Sequence, residues 1–184
     1  MPITYLRDVN KKKLRGKTVL LRADLNIEPS AERISFRLTA ILPTVRLLLR
    51  AGARVVILSH RGRPRGYDRK LSLRPFVPVF KKRLGQNVRF MKVLHFPVVP
   101  PRAAAPETNK IFLLENLRFH QGEEKNDAVF ARRLAKLGDF YVNDAFAVSH
   151  RRNASVVAIT RFLPSYAGLL LEKEIKNLSG VVQR

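Results

Sequence analysis

Four apolar segments of this chain each run straight into a polar turn, and that repeated join constrains the fold more than any other feature. Thr18-Val19-Leu20-Leu21 leads into Arg22-Ala23-Asp24-Leu25-Asn26, and Val55-Val56-Ile57-Leu58 into Ser59-His60-Arg61-Gly62-Arg63-Pro64. Ile111-Phe112-Leu113-Leu114 leads into Glu115-Asn116-Leu117-Arg118-Phe119-His120. Phe140-Tyr141-Val142 leads into Asn143-Asp144-Ala145-Phe146, with His150-Arg151 close behind. Continuous Val/Ile/Leu runs suit strands of a parallel sheet buried on both faces. Open sheets of that kind bind ligands just beyond the carboxyl ends of their strands. Four turns at one edge would gather Asp24, Asn26, His60, Arg63, Arg118 and Arg151 into one cleft. Guanidinium groups grip phosphate bidentately, so three arginines beside an Asp/Asn pair suit a small phosphorylated, hydroxylated ligand. Polar residues that only mark where a strand meets water explain one such turn, and poorly explain four.

Between these strands the pattern turns helical. A strand over 18–25 is followed by an irregular connection, then a helix from about Leu38 to Ala51 with Ile41, Leu42, Val45, Leu48 and Leu49 on one face. Gly52 supplies its stop, and Pro43 is accommodated if the regular helix begins there. A strand over 53–59, a basic loop over 60–74 and a short helix from Val77 to Leu84, closed by Gly85, come next. Asn87 to Met91 reads as a strand. The segment Phe96 to Pro106 holds four prolines, which excludes a continuous helix and predicts an extended loop. A strand over 110–116 precedes a helix capped by Asn126 or Asp127, carrying Phe130, Leu134 and Leu137 and ending at Gly138. A strand over 140–145 and a helix from about Gly168 to Leu178 complete the chain. Strands alternating with helices predict one three-layer, Rossmann-like α/β domain over residues 1–184, its parallel sheet flanked by helices.

The 184 residues suffice for one well-cored domain and are too few for two ordinary ones. With no cysteine, a disulfide scaffold or thiolate metal site is excluded. Neither a signal-peptide h-region nor a membrane-length apolar run is present, which predicts a soluble, cytoplasmic protein without membrane partners. Charge is the outlier: 36 Lys+Arg face 14 Asp+Glu, a formal +22. From Arg33 to Pro106 there are 17 basic residues and a single acid, Asp68, a net +16 in one segment. One small anion needs only a few arginines. The surplus is solvated surface, a steering field, or a face for a polyanion such as RNA.

The chain lacks paired carboxylates, a nucleophilic triad, Gly-x-Gly-x-x-Gly and a full Walker pattern: Gly16-Lys17-Thr18 has Lys11 where Gly-x-x-x-x-Gly-Lys-Ser/Thr needs its first glycine. Its four histidines have no metal spacing.

The four strand-turn segments resemble the N-terminal domain of phosphoglycerate kinase, above all in the run from Leu113 to Asn126. His60-Arg61-Gly62-Arg63-Pro64 and Tyr141-Val142-Asn143-Asp144-Ala145-Phe146 add to the likeness. Leu169-Leu170-Leu171-Glu172-Lys173-Glu174-Ile175 resembles the stretch with which that domain ends. The resemblance implies that Asp24 and Asn26 hold the hydroxyl of 3-phosphoglycerate. It implies that Arg37 contacts the reacting carboxylate, although its residue type alone fits a solvated helix-start arginine equally. His60, Arg63, Arg118 and Arg151 match the groups around the remote phosphate. No cofactor is implied for this chain; MgATP or MgADP would bind a C-terminal domain that this chain lacks, supplied in cis or in trans. Phosphoryl transfer is mostly positioning and charge neutralisation, so half of such an enzyme should bind acceptor and transfer nothing.

There are departures from the family pattern. Ser35-Phe36 stand where two acidic residues usually precede the arginine, Ala147-Val148 replace Gly-Thr, and Asn153 replaces a second histidine. A reading from a different class, a silent domain recruited to RNA, would use the basic surface. Against it, every matched phosphate ligand is present, and no aromatic base-stacking platform stands among the basic residues.

Overall fold

In the computed structural model, the description covers residues 3–27, 31–92 and 110–182. The proline-rich segment 96–106 lies outside them. Six parallel strands form one sheet in the order β3-β4-β2-β1-β5-β6. They are β1 (Thr18–Arg22), β2 (Arg54–Leu58), β3 (Val88–Met91), β4 (Ile111–Leu114), β5 (Phe140–Asn143) and β6 (Ser165–Ala167). The helices are α1 (Ala31–Arg50), α2 (Phe76–Leu84), the single turn α3 (Gln121–Glu124), α4 (Ala128–Ala135) and α5 (Leu169–Val182).

Alternation along each strand sends neighbouring side chains to opposite faces, and both faces are dry. Val19, Leu21, Val55, Ile57 and Leu113 pack with Ile41, Val45 and Leu48 of α1 and Phe76 and Phe80 of α2. Leu20, Val56, Leu58, Phe112 and Leu114 pack on the other face with Phe130 and Leu134 of α4 and with Ile159. Two cores separated by a sheet make the three-layer α/β domain that the sequence predicts.

Two local differences from the sequence reading have physical causes. The helix read from Leu38 begins at Ala31, so Pro43 sits in its interior. An interior proline costs about 3 kcal/mol. Leu38, Ile41, Leu42, Val45 and Leu48 are all buried, at about 1.5–3 kcal/mol each, which outweighs it. Pro43 itself lies on the exposed face. The strand β6 escapes a sequence reading because Ser165-Tyr166-Ala167 carries no apolar run, yet it pairs with β5 from Tyr141↔Ser165 to Asn143↔Ala167.

Helix stops behave differently from one another. Gly52 (φ 79°) and Gly85 (φ 65°) end α1 and α2 in the left-handed conformation that glycine favours. Helix α4 ends at Ala135, and Gly138 is needed for space: a Cβ there would lie 2.7 Å from Leu20 Cγ. Its N-terminus is capped by Asp127, whose Oδ1 accepts from Phe130 N–H at 2.6 Å.

Candidate functional site

Because all strands run the same way, the segments that follow β1, β2, β4 and β5 meet at one edge of the sheet. Short polar side chains bind these turns together. Ser59 Oγ accepts from Leu25 N–H at 2.9 Å and donates to the Ala23 carbonyl at 2.8 Å, joining the β1 and β2 turns. Asn116 fixes the basic loop. Its Oδ1 accepts from the N–H groups of Arg61 and Arg118, and its Nδ2 donates to the carbonyls of Arg61 (2.7 Å) and Leu71 (3.0 Å). The buried Glu115 carboxylate accepts from Leu73 N–H, Asn116 N–H and Ser72 Oγ, each within 2.9 Å. These bonds fix the turns relative to one another.

The seven residues singled out from sequence occupy different environments. Asp24 is ion-paired with Arg37, whose side chain remains 43% exposed. Asn26 Oδ1 accepts from Gly62 N–H at 2.9 Å, linking two of the turns. His60 is fully buried. Arg118 is buried as well; its Nη1 donates to the Gly62 carbonyl at 2.6 Å, and its Nε lies 3.1 Å from Glu124 Oε1. Arg151 is half-buried and Arg63 is exposed.

His60 shows which of these charges converge. Burial first, then the guanidinium groups of Arg22, Arg118, Arg151 and Arg37, push its pKa down to about 2. The imidazole is therefore neutral at physiological pH, and the charges that act on it are all positive. Arg63 is not among them. Burial also lowers Arg118, against the nearby Glu124, although a guanidinium stays protonated regardless.

Two clefts flank the Asp24–Arg37 pair. One, of about 450 Å³, includes Asn26, Arg37, Arg61 and Gly62. The larger, of about 940 Å³, lies between α1 and α5 and includes Asp24, Arg37 and Asp144. His60, Arg118 and Arg151 line neither. Six of the seven expected residues thus divide between the two clefts and an adjoining cationic cluster, with Arg37 at the join, and Arg63 belongs to neither.

Three residues of this edge received no role from sequence. Arg22 is fully buried at the end of β1. It donates from Nε to Ser155 Oγ (2.9 Å), from Nη2 to His60 Nδ1 (2.9 Å), and from Nη1 to the Ala23 carbonyl. Glu123, also fully buried, accepts from Ser155 Oγ at 2.6 Å and Ser155 N–H at 2.9 Å. Asn153, at the position of the missing histidine, is buried and donates to Glu123 Oε1 at 3.4 Å. The one signal available beforehand was a charge at the end of an apolar run, Leu20-Leu21-Arg22.

Asp144 has a separate task. Its Oδ1 accepts from Leu170 N–H (2.8 Å) and Leu171 N–H (3.1 Å), satisfying the first turn of α5. Burial lifts its pKa from 3.8 to about 6, partly offset by those bonds. The folded state therefore holds the proton more tightly than the unfolded chain, and this group's contribution to stability falls as pH rises from about 4 to about 6. The shift corresponds to roughly 2–3 kcal/mol, from which the helix dipole takes back up to about 1. Asp144→Asn keeps an acceptor for α5 and removes the titration. Its stability relative to wild type should accordingly improve by about 2 kcal/mol between pH 4.5 and pH 7.5 in urea unfolding. A difference that stays constant with pH would refute the raised pKa.

Among the described residues there is no group of three or more His, Cys, Asp or Glu able to hold a metal, and no helix long and apolar enough to cross a membrane. An open parallel sheet flanked by helices, with guanidinium groups gathered around a neutral imidazole at its carboxyl edge, defines a Rossmann-like α/β domain. Comparison with known proteins narrows that class. The phosphoglycerate kinase family pattern matches residues 7–184, and the chain belongs to that family. It is 45% identical over 171 residues to phosphoglycerate kinase of Wolbachia sp. subsp. Drosophila simulans (strain wRi), covering 92% of this chain and 43% of that protein. Over 168 residues it is 46% identical to the enzyme of Moorella thermoacetica, covering 90% and 43%. The solved structure of phosphoglycerate kinase from Coxiella burnetii superposes with a TM-score of 0.82 at 32% identity, over 97% of this chain and 44% of that one. That from Pyrococcus horikoshii OT3 gives 0.81 at 33% identity, over 96% and 45%. The chain spans less than half the length of these relatives.

Proposed function

We propose that this chain forms the acceptor side of a phosphoryl transfer, holding 3-phosphoglycerate or 1,3-bisphosphoglycerate at the carboxyl edge of its sheet. The observation that carries the reading is the convergence of Arg22, Arg37, Arg118 and Arg151 on the neutral His60. Arg118, Arg151 and His60 hold the remote phosphate, with the exposed Arg63 closing over it. Asp24 and Asn26 take the hydroxyl. Arg37, at the join between cleft and cluster, turns donors from Asp24 to the substrate carboxylate. A carboxylate oxygen then attacks the γ-phosphorus of ATP, and ADP leaves. Binding energy spent on the remote phosphate orients that oxygen.

The nucleotide contacts belong, in this reading, to a second domain supplied in cis or in trans, because both substrates must share one closed site. The surplus positive charge serves the reading without a polyanion partner, since a cationic face raises the local concentration of a small phosphorylated anion.

Calorimetric titration of the 184-residue chain with 3-phosphoglycerate, beside a coupled assay with MgATP, tests the proposal. Weak saturable binding without turnover is expected. Absence of binding would overturn the acceptor role, and turnover by the chain alone would overturn the division of labour.

A further inference from the structure

A buried cation is costly, and an apolar side chain of the same size usually serves a fold as well or better. Arg22 is fully buried, and its hydrogen-bond acceptors are a hydroxyl, a carbonyl and an imidazole, with no carboxylate among them. Its neighbours show what it accomplishes. Arginine only donates hydrogen bonds, so the His60 Nδ1 that Arg22 Nη2 meets at 2.9 Å must be the unprotonated nitrogen. The proton of the neutral ring is then on Nε2. At the other end, the Glu123 carboxylate only accepts, so Ser155 Oγ gives it a proton at 2.6 Å and must itself accept from Arg22 Nε. Donor and acceptor are fixed at every link from Glu123 through Ser155 and Arg22 to His60.

The chain ends on an unused donor. His60 Nε2 is buried and has no hydrogen-bond partner among the described residues. Unpaired buried donors are rare in native interiors, and each calls for an explanation. Charged groups reach His60 from several elements: Arg22 at the end of β1, Arg37 on α1, Arg118 after β4 and Arg151 after β5, all positive. The acceptor that suits Nε2–H is therefore an anion.

We propose that Arg22 is a positioning residue. Anchored by Ser155 and Glu123, it holds His60 in the Nε2–H tautomer, so that a neutral imidazole donates one directed hydrogen bond to a bound oxyanion. The inference rests on the reading of this edge as the 3-phosphoglycerate site. A ring protonated at both nitrogens would add a fifth positive charge; a ring protonated at Nδ1 would offer the anion a lone pair and repel it. Arg22 excludes both states.

The test uses the full chain carrying 15N-labelled histidine, with inorganic sulfate and 3-phosphoglycerate as probes. Sulfate stays a dianion from pH 5.5 to pH 8, so the probe itself contributes no titration. In the wild type, the His60 nitrogens should report the Nε2–H tautomer across that range, and the Nε2–H signal should shift on saturation with either ion. Arg22→Met, which keeps length and removes every donor, should give a mixture of tautomers that titrates between those limits. Its sulfate affinity at pH 8 should fall about tenfold, the usual scale for losing a hydrogen bond to a charged group. It should recover towards pH 5.5 as the imidazolium forms, a dependence absent from the wild type. An Nδ1–H tautomer in the wild type would overturn the inference, and that measurement stands even if the variant does not fold. A folded variant with unchanged tautomer and affinity would overturn it too. If the wild type binds neither ion, the functional reading falls and this inference with it. If it binds both but the Nε2–H signal does not move, only the role of Arg22 fails.

Discussion

Glu123→Ala should destabilise the fold by about 3–5 kcal/mol, against a total of about 5–15 for a typical domain. The carboxylate is fully buried, with Ser155 Oγ at 2.6 Å, Ser155 N–H at 2.9 Å and Asn153 Nδ2 at 3.4 Å. Truncation leaves the Ser155 N–H without an acceptor and removes the carboxylate that Ser155 Oγ links to Arg22. Leaving buried groups unpaired costs more than the pairing gained, which is why the effect is large. Glu123→Gln should cost less, because one oxygen still accepts, but its amide turns a donor towards other donors. Urea unfolding monitored by circular dichroism reads both variants. A loss under about 1 kcal/mol for Glu123→Ala would show that water or rearranged neighbours replace the carboxylate.

The second large effect is on ligand affinity. Arg118→Ala should weaken 3-phosphoglycerate binding by about 1.5–3 kcal/mol, some 10- to 150-fold in Kd. Arg118 is buried, acts directly on His60 and braces the basic loop through the Gly62 carbonyl at 2.6 Å. Arg63→Ala should cost under about 1 kcal/mol, because an exposed guanidinium is screened by solvent. Arg118→Lys separates charge from shape. A point charge cannot reproduce the planar fork, so only part of the affinity should return. Titration calorimetry on the three variants gives the order. Equal losses for Arg63→Ala and Arg118→Ala would mean that the exposed arginine folds onto the ligand as fully as the buried one. No loss for Arg118→Ala would remove the cationic cluster from the site.

The sequence alone determined the strand-to-turn joins and the alternation of β and α. Those are local properties: a run such as Val55-Val56-Ile57-Leu58 declares burial on both faces by itself, and Ser59-His60 declares its end. Tertiary packing decided the rest. Pro43 inside α1 is tolerated because Ile41, Val45 and Leu48 are buried against the sheet, a gain that no local rule contains. Gly138 reads as a helix stop until Leu20 is found against it. Strand β6 exists through its pairing with β5. Arg22 finds its partners only when His60, 38 residues away, and Ser155, 133 residues away, stand at its two ends. Hydrophobic periodicity is written along the chain within a few residues. The direction of a buried hydrogen bond depends on which distant groups folding brings within 3 Å, and only the folded chain supplies them.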